Sequence, residues 1–273
     1  ELTLRLQDGS QQAAAVRLQR FPLADQFAYF ILPYLIGWIF LGSSLWVFTL
    51  RRWDAAGRTY AIFSTAVGLS VACLFDIYTT NVLTPLWTFS VALVGGGLIS
   101  LALLFPDETP LVTRYPVLNW IGYLPAVLLG AAAMPTIYDF SRPGAYLSMW
   151  RLEYAFTSLA ALFFLGAMLL RRYRAQSPLL REQARLLAWG FGVSTAPLAA
   201  WALISSLFPG TRSLLATFTP YLLPSLAVFP LAAAYAILRY RLLNTDTILS
   251  RATVYLLMTI LAVTGYALLV SGL

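Results

Sequence analysis

Phe27–Leu50 reads FAYFILPYLIGWIFLGSSLWVFTL, 24 residues without a charge, and Arg51-Arg52 closes the run. At roughly 1.5 Å per residue such a helix crosses a hydrocarbon core of about 30 Å. Seven further spans read the same way: Thr59–Tyr78, Leu86–Phe105, Val117–Tyr138, Leu152–Leu170, Leu186–Phe208, Leu215–Leu238 and Ala252–Val270. None shows the two-residue alternation of a membrane β-barrel strand. Lipid offers the backbone no hydrogen bonds, so each span must be a helix. The expected fold is an all-α integral membrane domain of eight transmembrane helices over 27–273.

Composition agrees. Of 273 residues, 60% are hydrophobic and 11% charged, whereas soluble domains carry about 25% charge. The net charge of +7 is therefore read by position, and it gives no reason to expect a nucleic-acid partner. The connections 51–58, 106–116, 171–185 and 239–251 hold twelve Arg; the alternate connections hold Arg142, Arg151 and Arg212. That asymmetry assigns the first set to the cytoplasm and the amino terminus to the outside. Trp53, Trp87, Trp120 and Trp150 fall near span ends, where an aromatic belt is expected.

Absent residue types exclude several chemistries. There is no Lys, hence no retinal Schiff base, and no His, hence no Ser-His nucleophile and no histidine-held haem or zinc. One cysteine, Cys73, lies inside an apolar run and reads as a buried, inert thiol. No catalytic residue, metal site or cofactor is expected.

Residues 1–26 differ in character. Leu2, Leu4 and Leu6 alternate with Thr3, Arg5 and Gln7, Asp8-Gly9 follows, and Val16 and Leu18 resume the alternation. This predicts a β-hairpin turning at Asp8-Gly9. Two strands alone are marginal in water, so the hairpin is expected to close a larger extracytoplasmic domain. The chain starts with Glu and ends in an apolar run at Leu273, which reads as a piece of a longer protein.

Few polar groups lie at membrane depth. Asp76 stands near the outer end of the second span beside Tyr78, and Arg142, Arg151 and Glu153 border the outer ends of spans four and five. An ionisable group there faces protein or a water-filled cavity, so these five form a candidate outward-facing pocket, with an Asp76–Arg pair as its structural alternative. Pro33, Pro125, Pro135, Pro197, Pro220, Pro224 and Pro230 predict kinks. Gly95-Gly96-Gly97 and Gly130-Ala131-Ala132-Ala133 predict close helix packing. The basic stretch 171–185 reads as a cytoplasmic loop that fixes topology and meets anionic lipid.

Two segments resemble a known family. Phe105-Pro106-Asp107-Glu108-Thr109-Pro110, followed by Arg114 and Pro116, resembles a cytoplasmic loop of multi-spanning bacterial sensor histidine kinases of the competence-pheromone, quorum-sensing type. More specific is Ala236-Ile237-Leu238-Arg239-Tyr240-Arg241-Leu242-Leu243-Asn244-Thr245-Asp246, with Ile248, Arg251, Val254 and Tyr255. It is similar to the segment before the eighth span in that family. Asn244-Thr245 stands where the family has an acidic-aliphatic pair, and Leu104 where a His is often found.

The resemblance implies a PDZ-like domain ending in the 1–26 hairpin, a homodimer in the bacterial cytoplasmic membrane, and an extracytoplasmic peptide or lipophilic ligand. It also implies a signal-coupling role for Arg239, Arg241, Asp246, Arg251 and Tyr255. Related input regions are carried by serine phosphatases and cyclases, so the output chemistry stays open. The expected function is the membrane input region of a signalling receptor. An accessory subunit of a membrane complex and a transporter are the alternatives.

Overall fold

The computed structural model describes residues 2–5, 11–14, 22–105, 109–139, 141–175, 177–208 and 222–239. Strands β1 (Leu2–Arg5) and β2 (Gln11–Ala14) pair antiparallel, with Leu2 opposite Ala14 and Arg5 opposite Gln11. The second strand precedes the expected Val16–Leu18 stretch; Asp8, Gly9, Val16 and Leu18 lie outside the described residues.

Helices make up the rest. We number the long ones α1 (Leu32–Arg51), α2 (Ala55–Ala72), α3 (Thr84–Leu104), α4 (Tyr123–Ala133), α5 (Pro143–Arg174), α6 (Pro178–Ser194), α7 (Ala196–Leu207) and α8 (Val228–Arg239). Among the described residues, five stretches are long and apolar enough to cross a membrane: Phe27–Arg51, Ala55–Tyr78, Thr84–Leu104, Pro116–Thr136 and Gly144–Arg174. A sixth is formed if α6 and α7, bent by 48°, count as one span. Of the seventh expected span, only Leu223–Ala233 is apolar helix within the described residues. The eighth lies outside them.

Two expectations about boundaries change. The 171–185 stretch is mostly helix: α5 runs to Arg174 and α6 starts at Pro178. Helix α5 also begins at Pro143, so Arg151 and Glu153 lie inside the helix rather than at its border. They sit about 12 and 15 Å along its axis at 1.5 Å per residue. Charges mark where a span leaves lipid, not where hydrogen bonding of the helix stops, and both misplacements have that origin. The expected kinks are seen at Pro197, in the first turn after the 48° bend between α6 and α7, while Pro33 follows the π-helical turn Phe27–Ile31 inside the span Phe27–Arg51.

Packing closes a ring. Each of α1, α2, α3, α5, α6 and α8 contacts the next in that order, and α8 returns to α1. Helix α4 lies outside against α3 and α5, and α7 continues α6 along α5. Gly95, Gly96 and Gly97 let α3 touch three neighbours at once. A Cβ would meet the Phe156 ring of α5 at 2.6 Å, the Gly122 carbonyl before α4 at 2.8 Å, and Phe63 of α2 at 2.8 Å. Inside the ring Phe63, Phe164, Phe191 and Phe229 meet, with centroids 4.7 Å apart for Phe164–Phe191 and 5.2 Å for Phe191–Phe229. Buried hydroxyls tie α1 to α2: Ser43 lies 3.0 Å from both Tyr60 and Ser64, and Ser44 lies 2.8 Å from Thr65. Such bonds are the usual polar link between helices in lipid.

Candidate functional site

The two ends of the ring differ. At one end, arginines cover helix carbonyls. Arg171 donates to the carbonyls of Phe105 and Leu103 at the carboxyl end of α3. Arg58 donates to Arg52 and Trp53, and Arg181 to Ala175. Arg51 pairs with Asp54 at 2.8 Å. Cations at helix carboxyl ends satisfy orphan carbonyls and complement the helix dipole.

The other end is built by the turn from α2 to α3. Helix α2 breaks at Cys73, and one further helical turn, Leu74–Tyr78, carries Asp76. The Asp76 carboxylate accepts hydrogen bonds from Thr80 Oγ1, from the Val82 amide at 3.3 Å and from the Leu83 amide at 2.7 Å. Asn81 adopts φ 56°, a left-handed conformation that Asn tolerates. Tyr138 donates to its carbonyl at 2.9 Å. Asp76 thus caps the entry to α3, where a negative charge faces the positive end of the helix dipole.

Beneath this turn lies a cavity of about 360 Å³, in the range of small-molecule pockets (about 300–1,000 Å³). Helices α2, α3, α5, α6 and α7 supply its wall, with Leu223 and Leu226. Its sides are aromatic. Trp87 stands 6.0 Å from Trp150 and 6.1 Å from Tyr154, and Tyr154 stands 4.9 Å from Trp150 and 5.8 Å from Trp201. Thr195, at the α6–α7 bend, lines it too. Among the described residues no charged side chain does.

The residues singled out from sequence separate. Tyr78 lines the cavity and packs edge-on against Tyr29. Asp76 holds the turn above. Among the described residues neither Asp76, Arg142, Arg151 nor Glu153 forms an ion pair. Arg151 and Glu153, two positions apart, point to different sides of α5. Glu153 is 1% exposed, and neither carboxylate oxygen has a hydrogen-bond partner among the described residues. Of the expected coupling residues, Arg239 ends α8; Arg241, Asp246, Arg251 and Tyr255 lie outside the described residues.

The aromatic belt is also corrected. Trp53 and Trp120 are well exposed, as the belt requires, but Trp87 is 3% exposed and turns into the cavity wall. Trp150, its ring tilted 59° to that of Trp87, lines the wall as well. The cavity was missed in the sequence because its wall comes from five helices. The readable signal was Trp150 and Tyr154, four apart on one helix face. Cys73 is buried as expected. Among the described residues no cluster of His, Cys, Asp or Glu could hold a metal ion.

No protein-family model, no curated protein and no solved structure matches this chain.

Proposed function

We propose that the chain is the membrane input region of a bacterial signalling receptor, of the sensor histidine kinase type that residues 236–255 resemble, and that it receives an apolar ligand in the ring's cavity. The observation that supports this is the cavity itself, enclosed by five helices at the end away from the arginines. On this reading the arginine end is cytoplasmic by the positive-inside rule. The cavity then opens within the outer half of the cytoplasmic membrane, and an extracytoplasmic PDZ-like domain ends in the β1–β2 hairpin. The output chemistry belongs to a cytoplasmic domain of a homodimer, and these residues carry no catalysis.

Coupling follows from the wall. Thr195, Leu198, Ala199 and Ala202 line the cavity at and beyond the 48° bend. A ligand that fits one bend angle better than another shifts the helix packing by that difference in affinity and no more. The test is Ala161→Trp, which fills the cavity from α5, beside Leu162→Trp, which places the same bulk on the exposed face of that helix. In its source cell, Ala161→Trp should abolish or lock the transcriptional response that depends on the gene, while Leu162→Trp leaves it intact. An Ala161→Trp protein that reaches the membrane at the normal level and keeps a normal response removes the cavity from signalling.

One observation favours transport instead. Glu153 is a buried carboxyl within a helix of membrane-spanning length, and such groups mark proton pathways in carriers. Proton-driven uptake of a solute by vesicles containing the purified protein would put that reading first.

A further inference from the structure

The cavity is elongated, and its two ends differ. Helix α3 lines it from Trp87 to Leu98 and α5 from Trp150 to Ala161, returning every three or four residues, as one face of a helix does. At 1.5 Å per residue each of these walls runs about 16 Å. That is roughly half of a 30 Å hydrocarbon core, the depth of one lipid leaflet. The inner end is closed: Phe63 and Phe191 of the wall meet the Phe229 ring, with centroids 5.7 and 5.2 Å apart. Val67, Val94, Leu98 and Ala161 stand around it, all hydrocarbon. The outer end carries the indoles and Tyr154, and there Tyr78, 61% exposed, is the most exposed residue of the wall.

Polar groups of the wall turn away from this space. Ser70 donates to the Val67 carbonyl at 2.9 Å, Thr157 to Val91 at 3.0 Å and Thr195 to Phe191 at 2.7 Å. The Ser158 hydroxyl and the indole nitrogens of Trp150 and Trp201 are fully buried atoms, sealed off from the cavity surface. A polar head drawn to the inner end would lose its water and meet no hydrogen-bond partner, which is costly. A polymethylene chain loses nothing there. Tyrosine and tryptophan have an apolar body and a polar tip, and such side chains meet headgroups at a membrane interface. We infer that the cavity takes one unbranched hydrocarbon chain of an amphiphile, its methyl end against Phe63 and Phe191 and its head at Tyr78. This rests on the cavity being a ligand site. The chain belongs either to a membrane lipid or to a free single-chain amphiphile.

The experiment uses the whole chain in nanodiscs of phosphatidylethanolamine and phosphatidylglycerol. The probe is dodecanol carrying a photoreactive diazirine, either beside the hydroxyl or at the methyl end, and labelled residues are read by peptide mass spectrometry. The methyl-end probe should label Phe63, Leu98 and Phe191, and the head-end probe Tyr78, Trp87 and Trp150. Excess unlabelled dodecanol should remove most of both signals. Ala161→Trp should abolish the labelling by the methyl-end probe. An interchanged pattern, or the same wall residues labelled by both probes, overturns the assignment of chain and head while the ligand site stands. Labelling confined to exposed residues such as Leu162 overturns the cavity reading too. The wild-type pattern decides between these outcomes by itself, so the test holds even if Ala161→Trp does not fold. Phosphatidylethanolamine with the diazirine at the methyl end of one acyl chain separates the sources. Wall labelling by that lipid identifies a membrane lipid as the occupant, and wall labelling by dodecanol alone identifies a free amphiphile; either keeps the chain.

Discussion

The two ends of the helix ring use polar groups in opposite ways. At the arginine end, long cationic side chains cover helix carbonyls: Arg171 on α5 reaches across to close the carboxyl end of α3, while Arg58 and Arg181 serve their own connections. At the other end one short carboxylate, Asp76, gathers the amides of the single turn that follows it. Below that turn the wall is aromatic and a cavity remains. At the arginine end a charged group thus joins α5 to α3, and at the aspartate end neutral hydroxyls make the links between segments, Tyr138 to the Asn81 carbonyl and Thr88 with Tyr146 at 2.9 Å. Space for a ligand, and the bend about which α7 could tilt, belong to the end held by neutral hydroxyls rather than by a charged group.

The largest expected effect tests the fastening between helices. Arg171→Met keeps the aliphatic stem but removes the donors to Phe105 and Leu103. Hydrogen bonds from a charged group are worth about 1.5–3 kcal/mol, and with partial exposure we expect a loss of about 2 kcal/mol. Thermal unfolding in detergent should show it, with Arg171→Lys intermediate because an ammonium cannot fork between two carbonyls. An unchanged unfolding temperature in Arg171→Met would mean that the arginine end is held by apolar packing alone.

Next is the cap. Asp76→Ala should cost about 1 kcal/mol, the usual worth of a capping side chain. Its effect should be local: faster amide exchange at Val82 and Leu83, with the amides of α1 unchanged. Exchange that quickens across α1 and α2 together would show the aspartate end to be as tightly coupled as the arginine end, and the contrast would fail.

These cases also show what sequence could tell. The first three spans were legible because each is apolar throughout and bounded by charge or a turn. Span five was read short, since Arg151 and Glu153 looked like its border; a helix that enters a protein interior can carry charges well inside its length. Asp76 was visible as an anomaly, but its role was not. The clue lay downstream in Thr80, Asn81 and the start of α3, a local pattern, whereas an ion pair across helices was expected. Arg171 was counted toward orientation and its capping role passed unseen, because which carbonyl it meets depends on the α3–α5 contact made possible by Gly95. The cavity has the same status. It is a property of five helices together, and no single helix carries its outline.

The smallest effect concerns the second acid at the aspartate end. Asp139, in the connection before α5, accepts hydrogen bonds from the Ser141 hydroxyl and, at 3.0 Å, from its amide. The hydroxyl bond above all, with those from the backbone of Ser141 and Arg142, holds its carboxyl below the ordinary value against the opposing effect of desolvation. A lowered folded-state value means that the unfolded chain binds the proton more readily. The carboxylate's contribution is therefore present above the ordinary aspartate range of about 3.9 and is lost as the pH falls through the lowered value. Ser141→Ala removes the largest cause and should move the titration upward, as read from the side-chain carboxyl carbon by NMR. Asp139 is half-buried in a surface connection, so unfolding temperatures at neutral pH should barely differ between Ser141→Ala and wild type. A clear drop there would show that this connection, like Arg171 at the opposite end, fastens one helix to another.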